Sequence, residues 1–194
     1  MTKNKFNQVV GKLLKSEFNR NVLTLMTGTT IAQAIPIAVT PILTRIYTPE
    51  DFGVFALFIG IASIFGTIVN GRYELAIMLP RKDEDAINIF ALGFIITFVI
   101  SLILLILVLV FNNYFVNLLD NKEIGVWLFF MPITVFLMGL WKLLNYFNIR
   151  KKQYRDIAKA TIIKTIVLST VQLVIGFIKS GVTGLISGQI ISQL

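Results

Sequence analysis

Between Ile89 and Val110 the only polar side chains are Thr97 and Ser101. At about 1.5 Å of rise per residue, one helix over this stretch crosses a hydrocarbon core of about 30 Å. A β-barrel would need segments of about ten residues with alternating polarity. The run is continuously apolar instead, so a membrane-spanning helix is the reading it allows. The rest of the chain agrees. It is 56% hydrophobic and 14% charged, where soluble domains sit near 45–50% and about 25%. Mean hydropathy is +0.80. A soluble globular domain, a disordered tail and a disulfide scaffold are all disfavoured. There is no cysteine and no histidine. That removes disulfides, thiolate nucleophiles, Cys- or His-based metal sites and the Ser-His-Asp arrangement.

A length of 194 residues holds about six spans and little else. The fold class expected is all-α, a polytopic membrane helical bundle. The spans fall near residues 22–47, 52–79, 86–111, 124–147 and 157–178, with an incomplete sixth at 182–194. Ahead of them, Phe6, Val9, Val10, Leu13, Leu14 and Phe18 recur at helical spacing opposite Lys5, Gln8, Lys12, Lys15 and Asn19. Residues 1–20 therefore predict an amphipathic helix lying on anionic membrane lipids, with a solvated tail as the plainer alternative. Ala32-Gln33-Ala34 resembles a signal-peptide cleavage site. The segment before it is rich in threonine, however, and the apolar run continues past it. Thr48-Pro49-Glu50-Asp51 reads as a helix start, with a capping hydroxyl, a first-turn proline and acids at the positive end of the helix. The last apolar segment, from Val182 to Leu194, is too short to cross a bilayer. The chain is therefore expected to be the front part of a longer protein.

The net charge is +8. In a membrane protein this marks cytoplasmic loops, not a nucleic-acid partner. Twelve lysines and arginines fall in the N-terminal segment and in the loops on its side. Only Arg45, Lys122 and Lys179 fall on the other. The N-terminus is expected in the cytoplasm, with Arg150–Arg155 as a topology signal.

Ionisable groups inside spans are functional candidates by default. Arg72, Glu74, Lys142 and Lys164 are such groups, and Arg45 stands near the outer end of the first span. Lys142 and Lys164 are close enough to the inner ends of their spans to snorkel to headgroups. Arg72 precedes Pro80 by eight residues, a depth of roughly 12 Å. Ser63, Thr67, Asn70 and Glu74 share one face of a continuous helix, and Arg72 points elsewhere. Thr29, Gln33, Thr40 and Thr44 share a face of the first span, and Thr161, Thr165 and Gln172 a face of the fifth. These stripes predict a water-accessible interior lined by the first, second and fifth spans, with the third facing lipid. Helix-to-helix bonding by the hydroxyls is the alternative. Pro36 and Pro41 predict a bend or break in the first span, or a static kink. Gly184 and Gly188 have the GxxxG packing spacing. No phosphate-cradling loop, paired catalytic carboxylates or metal constellation is present in the sequence. No cofactor or metal is therefore expected, and Asp83-Glu84-Asp85 reads as a solvated helix start.

Three motifs carry a resemblance. Thr48-Pro49-Glu50-Asp51-Phe52-Gly53-Val54-Phe55-Ala56-Leu57 resembles the segment between the first two helices of Wzx-like oligosaccharide flippases. These belong to the multidrug/oligosaccharidyl-lipid/polysaccharide exporter superfamily. Arg72-Tyr73-Glu74-Leu75-Ala76-Ile77, followed by Leu79-Pro80, resembles their second-helix signature. Asn145 to Arg150, with Tyr154 and Ile157-Ala158, resembles their fourth-to-fifth helix junction.

The resemblance implies the first lobe of a two-lobe exporter fold around a central cavity, with a missing C-terminal lobe. It implies flipping of an undecaprenyl-pyrophosphate-linked oligosaccharide across the bacterial cytoplasmic membrane, with H+ or Na+ as a coupling ion. Arg72 would be a cavity cation and Glu74 its balance or the coupling group, with Lys142 and Lys164 as further cavity candidates. Asn70, Gln33 and Arg45 are candidates for the same path. Polysaccharide polymerase and glycosyltransferases are implied partners. Two other readings remain open: a small-molecule exporter of the same superfamily, and a non-transporting scaffold. A membrane-embedded polymerase has little support, because the Asn112–Glu123 loop offers only Asp120 and Glu123.

Overall fold

The computed structural model describes residues 17–179 and 181–194. The expected surface helix at residues 1–20 lies outside the described residues, apart from residues 17–20, which begin α1. Among the described residues eight helices follow one another: α1 (Glu17–Ile46), α2 (Pro49–Ile68), α3 (Tyr73–Ala76), α4 (Asp83–Leu118), α5 (Ile124–Leu128), α6 (Met131–Arg150), α7 (Tyr154–Ile178) and α8 (Thr183–Ile191). No strand is present among the described residues. Among the described residues four helices are long and apolar enough to cross a membrane: α1 from Asn19, α2, α4 and α7.

The differences from the sequence expectation have local causes. The second span is not one helix to Leu79; α2 stops at Ile68 and the chain turns before α3. The third span runs past Phe111 to Leu118, with non-helical dihedrals only at Phe111 (φ −111°, ψ 15°). Residues 112–118 contain no Gly or Pro to stop it. The fourth span is split into α5 and α6, because Pro132 has no N–H for the ladder and opens a new helix. The sixth segment forms a helix of nine residues. Pro36 and Pro41 do not break α1, which is continuous through both.

The cap read from the sequence is present. The Thr48 hydroxyl accepts the Asp51 N–H at 3.2 Å, and Asp51 Oδ2 accepts the Thr48 N–H at 2.9 Å. This reciprocal pair fixes the start of α2. Helices in lipid gain little from apolar burial as such; close approach of small residues does the work. α1 lies along α7, α7 along α8, and α4 along α6, while α2 packs on α6 and α8. The Gly184–Gly188 spacing is such a contact. A Cβ at Gly184 would fall on Tyr47 Oη, and one at Gly188 would come within 2.7 Å of Gln172 Cγ. Tyr47 fills that junction and donates its hydroxyl hydrogen to the Gln172 carbonyl at 2.6 Å.

The expected polar interior forms only in part. Thr29, Gln33, Thr40 and Thr44 are exposed on α1, away from its buried residues Gly28, Ala32 and Leu43. Their threonine hydroxyls donate to their own helix, as Thr40 does to Pro36 O at 2.7 Å. Ser63 and Thr67 are likewise exposed on α2. The third span is not wholly turned outward. Gly93, Thr97, Ser101, Leu104 and Val108 make a buried stripe, while Phe94, Phe98, Leu102 and Ile106 are exposed.

Candidate functional site

Asn70-Gly71 is a turn dipeptide set inside an apolar segment. It ends α2. Gly71 (φ 57°) and Arg72 (φ 64°) both take left-handed backbone, and the Tyr73 N–H donates to Asn70 O at 3.1 Å. Two successive positive φ values closed by that bond make a tight turn of the primed type. Gly71 meets this geometry freely, but Arg72 carries a Cβ into a region that costs about 1–2 kcal/mol. The chain then continues through α3 and shorter turns to Pro80.

The depth of the break follows from α4. Asn70 Nδ2 donates to Thr97 Oγ1 and to Gly139 O, both at 3.0 Å. Thr97 lies eight residues beyond Ile89, about 12 Å along the helix. The turn therefore sits within the apolar zone, on the side of Pro80. Irregular backbone at such depth survives only when protein or water satisfies it. Here protein does so. Asn70 ties the turn to α4 and α6, and the Thr97 hydroxyl donates onward to Gly93 O at 2.6 Å. The approach depends on Gly139, where a Cβ would come within 2.6 Å of Thr97 Cγ2 and 2.8 Å of Val69 Cγ1.

Lys142 completes the end of α2. Its Nζ donates to Gly66 O at 2.8 Å. A cation there meets a carbonyl freed by the break and the negative end of the helix dipole. The lysine head is thus turned into the protein, not out to headgroups. Lys164 behaves likewise. Its Nζ stands 4.5 Å from the centre of the Trp141 ring, a cation–π contact between α7 and α6.

Arg72 and Glu74 are separated as the residue spacing suggested, but by a turn and not by the far side of one helix. The Arg72 side chain is exposed and forms no hydrogen bond or ion pair among the described residues. Glu74 is 3% exposed, and its Oε2 has no hydrogen-bond partner. Asn70 Oδ1 is also buried and unbonded. Burying such oxygens unpaired is costly, so the break holds open valences beside an exposed cation. The structure thus gathers Asn70, Arg72, Glu74 and Lys142 at one interruption. Gln33 and Arg45 are exposed on α1, and no bond joins either to the break. Gln172 is occupied in packing, its Nε2 donating to Leu185 O at 3.4 Å.

Arg150 does more than its place in a basic loop suggests. Its guanidinium donates to Ile77 O (3.1 Å), Pro80 O (2.8 Å), Lys82 O (3.1 Å) and Asp83 Oδ1 (3.2 Å). Lys151 also pairs with Asp83. Beyond marking topology, Arg150 clamps the strand of chain that returns from α3 to α4. Asp83 is correspondingly a partnered helix start, not a merely solvated one. The spacing of a basic run cannot reveal this, because the partners are backbone carbonyls.

Comparison with curated proteins gives no match, and neither does comparison with solved structures. The profile described as "Polysaccharide biosynthesis protein" matches residues 42–194, from the last turns of α1 onward. That range includes α2, the break, the Arg150 clamp and α7. With its apolar helices and a match over most of its length, the chain is a membrane protein and belongs to the polysaccharide biosynthesis protein family.

Proposed function

We propose that this chain serves in a carrier that moves an undecaprenyl-pyrophosphate-linked oligosaccharide from the inner to the outer leaflet of the bacterial cytoplasmic membrane. The N-terminus and the Arg150 end face the cytoplasm, in keeping with the basic bias of that side. The protein acts as a transporter and not as an enzyme. The family match supports a role in surface polysaccharide assembly.

The observation that carries the reading is Arg72. A non-glycine residue is held at φ 64° within the apolar zone, with its guanidinium exposed. Strain of this kind at a membrane-embedded cation is characteristic of a functional position. An exposed guanidinium suits a pyrophosphate, which it can hold through paired N–H groups. Interrupted helices in transporters commonly mark the binding region. The unbonded oxygens of Asn70 and Glu74 offer lone pairs to a proton or to a hard cation such as Na+. They support ion coupling at the same break. A second lobe would supply the other wall of the path. The polysaccharide polymerase and glycosyltransferases would be its neighbours in the assembly route.

The test is to deplete the protein from cells and locate the lipid-linked oligosaccharide. A carrier predicts accumulation in the inner leaflet, shielded from an external lectin, with total synthesis continuing. A scaffold predicts reduced synthesis with no shift between leaflets.

A further inference from the structure

At the Arg150 end of the lobe a recess of about 600 Å³ opens between the first turns of α1 and the turn joining α6 to α7. Arg20, Asn21, Thr24, Lys152, Gln153 and Arg155 line it. Three of these are cations, Arg20 from α1 and Lys152 and Arg155 from the basic run after α6, and none is a carboxylate. The basic run 150–155 is divided in its use. Arg150 and Lys151 are taken by Asp83. Lys152, Arg155 and Arg20 form no ion pair among the described residues.

The turn that presents Lys152 and Gln153 is fixed. Lys152 stands at φ 57°, its N–H donates to Ile149 O at 2.9 Å, and the Gln153 N–H donates to Asn148 O at 2.9 Å. A topology signal needs only charge on the correct side. It does not need a concave site; the left-handed Lys152 is itself the ordinary end of α6, where these two bonds close the last carbonyls of the helix. The apolar part of α1 begins at Val22, so the recess lies at headgroup level. Uncompensated like charges gathered in one concavity repel each other unless an anion joins them. Two arginines able to grip oxygens in pairs, a lysine, and the amides of Asn21 and Gln153 suit a compact anion with several oxygens.

We propose that this recess binds a phosphate group, either the headgroup of an anionic membrane phospholipid or a soluble pyrophosphate. Arg72, Lys142 and Lys164 do not line it, so the proposal stands apart from the transport reading.

The full chain would be purified in detergent and exposed to phosphatidylglycerol, to phosphatidylcholine and to inorganic pyrophosphate. Bound species would be read by native mass spectrometry. Loss of three charges in the variant R20Q/K152Q/R155Q predicts roughly a hundredfold weaker retention. The variant R81Q/K82Q/K159Q removes equal charge from exposed positions outside the recess and should weaken retention clearly less, because none of the three lines it. Retention of phosphatidylglycerol alone would assign the leaflet as the source. Retention of pyrophosphate alone would assign the solution. Equal losses in the two variants, or no loss in the first, would overturn the proposal. All six positions are exposed, and a thermal melt of each variant checks that the fold is kept.

Discussion

Lys142 Nζ lies 2.8 Å from the Gly66 carbonyl oxygen, so a lysine of α6 closes the last turn of α2. An intramembrane lysine that looks like a headgroup anchor is thereby a helix cap. Lys142→Met keeps the apolar stem and removes the donor. It should cost about 1–3 kcal/mol in a reversible detergent unfolding assay. Lys142→Arg should recover part of that loss.

Arg150 predicts a local effect. Asp83 is largely exposed, so the ion pair itself contributes little. The bonds to the Ile77 and Pro80 carbonyls are partly buried and carry more. Arg150→Ala should cost about 2–4 kcal/mol and loosen residues 77–82. The native chain has no cysteine, so a single Leu79→Cys reports on that segment. Its labelling by a thiol reagent should be faster in the Arg150→Ala background.

Gly184→Ala places a methyl group on the Tyr47 hydroxyl. Overpacking of this kind costs about 1–3 kcal/mol. Tyr47→Phe removes the obstructing oxygen together with its bond to Gln172 O. The double variant should be more stable than the sum of the two single losses predicts. Strict additivity in the same unfolding assay would refute the contact.

Arg72 separates stability from function. Arg72→Gly relieves left-handed strain and gives back part of it as chain entropy. Stability should hold or rise by up to about 1 kcal/mol, while transport falls. A clear loss of stability would mean that the guanidinium holds the fold together.

The architecture was readable where local chemistry and periodicity agree. The run Ile89–Val110, the Thr48–Asp51 cap and the Gly184–Gly188 spacing all lie where residue type and position suffice. The end of α2 at Ile68 departs from the expected second span, because an apolar stretch does not by itself show the turn that Asn70-Gly71 makes. The polar stripes were real on a wheel, but a wheel does not say which neighbour a face meets. Thr29 and Gln33 therefore stand on an open face. Of the candidate residues, Arg72 and Glu74 stand out in the sequence by charge in an apolar setting. The roles of Lys142 and Arg150 needed the positions of carbonyls more than sixty residues away in sequence.

The central claim is that the interruption between α2 and α3 is the working part of a carrier. It is tested most directly by measuring delivery of lipid-linked oligosaccharide to the outer leaflet, in the protein as the cell makes it. Arg72→Ala and Glu74→Gln would be compared with the native protein at matched abundance in the membrane. Glu74→Gln keeps the size of a buried side chain whose Oε2 has no hydrogen-bond partner and should not lower stability. The account predicts that both variants fold, reach the membrane and lose most of the delivery. Native-level delivery by both would contradict it.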